Sequence, residues 1–184
     1  MKDRILEGFR KEIQRQGIRF SMDDLASRLG VSKKTLYKYY SSKAEILDEL
    51  IDLAIENMEE KAAVIINNEQ LSLAEKLKGV IAVIPDQQEL TDMRTLNQIK
   101  KYFPEQWEKF DSFLQSDWEK IRNLVELGIK EGIIKDFNVS VIMKVIITSI
   151  NTTIDQSFFL ENQITPEAAL KEIVSILMDG LLEN

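Results

Sequence analysis

Three lysines and a tyrosine, Lys33, Lys34, Tyr37 and Lys38, crowd one short stretch between Ser21 and Lys43, SMDDLASRLGVSKKTLYKYYSSK. At helical spacing they share one arc, while Leu36 and Tyr40 point to the other side. Lysine ammonium groups donate to guanine O6 or N7 or neutralise a phosphate, so the arc suits a polyanion. Ser32 and Thr35 at the helix start add hydroxyl donors, and the free amides of a first turn favour an anion. Lys43 falls in the first turn of the next helix, a poor place for a cation against the dipole, which a nearby phosphate would relieve. The plain competitor is a solvated lysine face on an ordinary helix pair.

What must position these side chains is also legible. Ser21 caps a helix whose inward face is Met22, Leu25, Ala26 and Leu29, with Asp23 and Asp24 in its first turn. Gly30-Val31 interrupts the pattern and Ser32 opens a short helix to about Tyr40, in which Leu36 and Tyr40 pack on Leu25 and Leu29. Two short helices around a glycine-containing turn form a helix-turn-helix, whose second member enters the major groove. Upstream, Ile5, Leu6, Phe9 and Ile13 mark a helix over Lys2–Gln16 that Gly17 stops. Downstream, Ser42-Lys43-Ala44-Glu45 reads as a capping box for a helix to about Ile66. Further helices are expected from Ser72 to before Pro85, over Thr91–Tyr102, from Pro104 to about Lys130, over Val139–Phe159 and from Thr165-Pro166-Glu167 to the end. About nine helices and no strands make the fold all-α.

Composition narrows the chemistry. The chain has 184 residues, with neither Cys nor His, which removes disulfides, Cys/His zinc sites, cysteine nucleophiles and imidazole-based triads. With no phosphate loop and no carboxylate pair in a recognisable setting, an enzyme is not expected. No apolar run approaches a membrane span, and the opening MKDRILEGFRKEIQ is too charged for a signal peptide, so a cytoplasmic protein is expected. The net charge of −7 divides unevenly: residues 1–43 hold 11 Lys/Arg against 5 Asp/Glu, and residues 44–184 hold 13 against 26. Only the N-terminal quarter offers itself to a polyanion. An amphipathic membrane anchor would expose the apolar face that the three-helix core needs.

The run LGVSxxTLYxYYxSKxEIL, with the helix ending at Gly17 at matching spacing, resembles the DNA-binding domain of the tetracycline-repressor (TetR) family of bacterial transcriptional regulators. The resemblance spans Ile5–Leu47, about a quarter of the chain. It implies a DNA-binding domain over residues 1–46 and a helical effector-binding and dimerisation domain over residues 47–184. It implies base contacts from Lys33, Lys34 and Lys38, and phosphate contacts from Thr35, Tyr37, Tyr39 and Lys43. The chain departs from the family at Lys34, where glycine is frequent, and at Leu29, where a small residue is frequent; Leu29 should tighten the packing. Lys34 reaches either a base or a phosphate.

For the acidic remainder the family implies a dimer built from the last two helices. Ile142, Ile146, Ser149, Ile150, Thr153 and Ser157 form one stripe, and Leu170, Ile173, Val174, Leu177 and Leu181 a second, which together are the expected homodimer interface. The competing assignment puts either stripe in the protomer's own core. Met93, Trp107, Phe110, Phe113, Trp118, Met143 and Phe158, with Asn151 and Asp155 to orient a ligand, are the expected small-molecule pocket. No motif names an effector, no cofactor is implied, and the lack of His argues against a metal-dependent tetracycline-like site, although carboxylates can hold magnesium. The expected function is a dimeric regulator of a pseudo-palindromic operator in double-stranded DNA, a repressor released by a small molecule. The alternative is an activator or adaptor acting through a protein partner.

Overall fold

The computed structural model describes residues 1–153 and 156–182. Among them are ten α-helical segments, one 3-10 turn at Gln88–Leu90 and no strand, with a single isolated bridge between Ile134 and Leu182. The helices are α1 Lys2–Gln16, α2 Met22–Leu29, α3 Lys33–Tyr39, α4 Lys43–Ile66 and α5 Leu73–Ile81, then α6 Met93–Tyr102, α7 Pro104–Lys130, α8 Val139–Thr153, α9 Gln156–Asn162 and α10 Pro166–Leu181. The stretch expected as one helix over Val139–Phe159 is described as α8 and α9, with residues 154 and 155 outside the described set.

The helix starts follow their caps. The Ser21 hydroxyl accepts from the Asp24 amide at 3.1 Å, and the Asp24 carboxylate accepts from the Ser21 amide at 2.8 Å. Hydrogen bonds from Ser21 hold the Asp24 carboxyl below its usual range. Ser72 and Glu75 repeat the device at α5 and Thr165 caps α10, with Pro166 at the first helical position. At α4 the box is split. Ser42 Oγ accepts from the Glu45 amide at 3.2 Å, but the Glu45 carboxylate reaches back to the amide and hydroxyl of Ser41, at 2.6 and 2.8 Å.

The chain divides into two compact units, residues 1–56 with 85–112 and residues 57–84 with 113–184. In the first, Ile5, Phe9, Ile13, Leu25, Leu36, Ile46 and Leu47 are wholly buried, and Phe9 meets Phe20 edge to face at 5.4 Å. Burial of this kind contributes roughly 1.5–3 kcal/mol per large side chain. Segment 85–112 is fastened to the N-terminal helices by polar contacts. The buried Glu89 carboxylate accepts from Arg10 Nε at 2.5 Å and from Gln14 Nε2 at 3.3 Å. Gln98 Oε1 on α6 accepts from the Ile18 amide at 2.8 Å, just past the end of α1.

That last contact explains Gly17. Its φ of +74° lies in the left-handed region, and a Cβ there would stand 2.5 Å from Gln98 Oε1. Gly17→Ala is therefore expected to cost about 1–3 kcal/mol. Urea unfolding should show a lower midpoint at constant slope; an unchanged midpoint would mean that α6 does not bear on this turn.

In the second unit Leu77, Val80 and Ile81 of α5, Ile121 and Val125 of α7, Ile142, Met143, Ile146 and Ile150 of α8, and Leu170, Val174 and Met178 of α10 form one core. The connection after α7 turns at Gly132 and runs back along the end of α10, where the Lys135 amide donates to the Leu181 carbonyl at 2.9 Å.

Candidate nucleic-acid interface

Two short helices can present a surface only if the turn between them is rigid. Gly30 takes the left-handed conformation (φ 64°, ψ 34°), its amide donates to the Ala26 and Ser27 carbonyls, and the Val31 amide returns to Ala26 at 3.0 Å. Ser32 then caps α3 through its hydroxyl, which accepts from the Thr35 amide at 3.0 Å. Leu36 and Tyr40 are buried, at 0% and 1% exposure, and α2 packs on α3. With one face committed to the core, Ser32, Lys33, Lys34, Tyr37 and Lys38 are all exposed on the other, and Thr35 and Tyr39 are half-buried beside them. The arc anticipated from spacing is thus an open cationic surface on a helix fixed from behind.

Its charges are not all equivalent. Lys33 Nζ lies 2.5 Å from a carboxylate oxygen of Asp23 in the first turn of α2, and this hydrogen bond raises the Lys33 pKa above its ordinary value. Asp23 thereby screens one of the three lysines, a partner that sequence spacing across a turn does not reveal. The Ser32 and Thr35 hydroxyls are 2.8 Å apart and satisfy each other. Behind the surface, buried Glu12 of α1 holds Arg15 at 3.0 Å, Gln16 at 2.8 Å and Arg28 of α2 at 3.1 Å, which sets α1 against α2.

Lys43 has another environment. Its ammonium donates to the Ile18 carbonyl and to the Phe20 carbonyl (2.5 Å), and stands over the rings of Phe20 and Phe103, 4.8 and 5.3 Å from their centroids. Burial lowers its pKa, with Asp24 opposing. The relief expected from a phosphate is supplied here by the carbonyls of the α1–α2 loop. Lys43→Ala is accordingly expected to lower stability by about 1–3 kcal/mol, because two carbonyls lose their donor. The salt dependence of DNA binding should stay unchanged. A slope reduced by about one counterion would instead assign Lys43 to a phosphate.

This arrangement has known counterparts. The family described as bacterial regulatory proteins, tetR family, matches residues 5–50. The HTH-type transcriptional regulator YvaF of Bacillus subtilis (strain 168) is 34% identical over 181 residues, covering 98% of this chain and 95% of that protein. The chain belongs to the TetR family. It is a DNA-binding transcriptional regulator of that family, and α2 and α3 are its helix-turn-helix. Solved structures of transcriptional regulators share its fold. PfmR from Thermus thermophilus superposes with a TM-score of 0.78 at 24% identity, over 98% of this chain and 100% of that one. FadR from Bacillus subtilis, in complex with stearoyl-CoA, superposes with a TM-score of 0.64 at 20% identity, over 98% and 99%. Among the regulator's described residues no helix is long and apolar enough to cross a membrane.

The remaining expected sites of this TetR-family regulator fare differently. Of the stripes assigned to a dimer interface, Ile142, Ile146, Ile150, Leu170 and Val174 are at most 5% exposed within the protomer's own core and have no surface to offer a partner. Ser149, Ile173, Leu177 and Leu181 are half-buried, and the Thr153 side chain, like Ser157, lies outside the described residues. The open apolar surface of these helices is one step round: Val141 and Val145 on α8 and Ile176 on α10 are 59%, 47% and 71% exposed.

The residues expected to line a pocket are divided between the two units. Met93, Trp107 and Phe110 belong to the first unit, and Phe113, Trp118, Met143, Asn151 and Phe158 to the second. Phe110 and Met143 are core residues, and Trp118 packs against the second unit's core. Met93, Trp107 and Phe113 are half-buried, with Lys100 standing 5.3 Å from the Trp107 ring. Asn151 and Phe158 are exposed, and Asp155 lies outside the described residues. The second unit instead contains an open groove of about 770 Å³ between α4, α5 and α10, with Lys61, Val64, Lys78, Val83 and Lys171 among its walls, and none of the expected pocket residues.

Proposed function

We propose that this regulator binds a pseudo-palindromic operator as a homodimer, represses from it, and is released by a small-molecule effector. The observation that carries the reading is the exposed Lys33–Lys34–Tyr37–Lys38 arc on a helix whose opposite face is buried. Lys33 and Lys38 read base edges, Lys34 reaches a base or a phosphate, and Thr35, Tyr37 and Tyr39 lie on the phosphates, with the Ser32 hydroxyl at the helix start beside them. Residues 1–46 serve as the DNA-binding domain and residues 47–184 as the domain for effector and partner subunit.

Two copies are needed because one short helix covers too few base pairs for a unique site. In a two-fold dimer the recognition helices address half-sites about 34–36 Å apart. Val141, Val145 and Ile176 form the centre of a self-complementary patch, as a two-fold interface requires, with Leu177 and Ile173 alongside. The acidic remainder of the chain repels DNA and restricts docking to the basic end.

Release follows from the wiring of the chain. Helix α4 is one continuous helix from Lys43 to Ile66, so it begins beside the helix-turn-helix and ends in the second unit. An effector that binds one setting of α4 better than another shifts the dimer away from the half-site spacing, by no more than its differential affinity for the two settings. FadR, which shares the fold, was solved with stearoyl-CoA, which supports a small-molecule effector here.

In vitro transcription from a promoter bearing an operator recovered by selection from random duplex DNA tests the reading. Transcript is expected to fall as protein is added, with two protomers per site by sedimentation. A transcript that rises with protein, or falls only with a second protein present, would favour the activator or adaptor.

A further inference from the structure

We infer that Asp23 is a specificity-determining residue of this regulator, accepting a hydrogen bond from a cytosine amino group beside the base that Lys33 contacts. The inference rests on the base contact proposed for Lys33 and adds a second reader, supplied by α2 and not by the recognition helix. Lys33 is the first residue of α3, and the leading residues of a recognition helix are those that meet base edges. Its ammonium lies 2.5 Å from Asp23 Oδ2, so a base edge that Lys33 reaches also faces that carboxylate. Lys34 and Lys38, on the same arc, have no ion pair among the described residues.

The α2 cap is complete without Asp23, since Asp24 takes both the amide and the hydroxyl of Ser21, at 2.8 and 2.7 Å. The Lys33 and Asp23 side chains are 65% and 52% exposed, and so open an ion pair adds little stability. Its cost falls on DNA binding, where the carboxylate cancels one of three lysine charges and stands against phosphate. Only a donor on a base edge offsets that cost. In the major groove the cytosine N4 amino group fits best, because the adenine amino group adjoins N7, an acceptor that a carboxylate cannot serve. Lys33 keeps two of its three ammonium donors for guanine O6 or N7, and Asp23 Oδ1 has no partner among the described residues. Successive base edges lie roughly 3.4 Å apart along the duplex. A pair 2.5 Å across therefore matches a guanine and a cytosine in the same or the adjoining base pair.

Selection from random duplex DNA with the full-length protein, and with its Asp23→Asn and Asp23→Ala variants, tests the inference. The native motif is expected to hold one cytosine per half-site that both variants lose while the rest of the motif persists. In titrations, Asp23→Asn should tighten binding to unrelated duplex about threefold and steepen its salt dependence by about one counterion per subunit. The ratio of operator to unrelated binding should fall at least about tenfold. Loss of a favourable charge at the α2 dipole would shift the urea midpoint and leave the motif as it was. A motif unchanged in both variants, or operator and unrelated DNA tightened alike, would overturn the assignment and leave Asp23 a screening charge. Absence of any motif from the native protein would overturn the operator reading as well, so the two failures are distinct.

Discussion

Lys38→Ala is expected to cost operator binding about 1–3 kcal/mol per half-site, and so about 2–6 kcal/mol for a dimer that uses the residue twice. Lys38 is exposed on α3 with no ion pair among the described residues, whereas Lys33 is partly neutralised by Asp23. Its ammonium is therefore free to commit to a base edge. Binding to unrelated duplex should fall far less, since that affinity is shared among all phosphate contacts. The measurement is a pair of titrations, on operator and on scrambled duplex, at one salt concentration. Equal losses on both would make Lys38 a phosphate contact and move base reading to Lys34 and Lys33.

The second large effect is expected at Ile176. Ile176→Asp should raise the dimer dissociation constant by about 100-fold or more, because each two-fold interface would bury two new carboxylates in an apolar patch. Ile176 is 71% exposed in the protomer, so helical content and the unfolding midpoint of the isolated subunit should hardly change. Specific operator binding should fall with dimerisation, while binding to unrelated DNA persists. Sedimentation velocity checks the first statement and DNA titration the second. A variant that remains dimeric would remove α10's outer face from the interface.

The parts of this molecule that sequence reveals are those decided locally. Ser21, Ser32, Ser72 and Thr165 each cap the helix they precede, because a short side-chain oxygen three residues before a free amide has few competing uses. The DNA-facing arc is equally local: once Leu36 and Tyr40 turn inward, helical geometry places Lys33, Lys34, Tyr37 and Lys38 outside. The family followed from the same short run of residues, and the fold class from helical spacing and caps along the whole chain.

What was not legible depends on distance or on ambiguity of face. Arg10 and Glu89 are 79 residues apart and each reads as a solvated charge, yet together they fasten the 3-10 turn to α1. Lys43 looks like a surface cation until Ile18 and Phe20 bring their carbonyls to it. Helix α8 is apolar on neighbouring faces, so periodicity alone cannot separate Ile142 and Ile146, which are buried, from Val141 and Val145, which are not. The aromatic residues grouped as a pocket met the same limit, since Phe110 fills a core that spacing cannot distinguish from a cavity.

Selection of bound sequences from a random duplex library, at physiological salt and with purified full-length protein, tests the central claim most directly. A surface of exposed α3 lysines, presented twice by a two-fold dimer, predicts recovery of one pseudo-palindrome with half-sites about one helical turn or slightly more apart. Recovery of no motif from folded protein, or of a single unrepeated half-site, would contradict a dimer that reads sequence through α3.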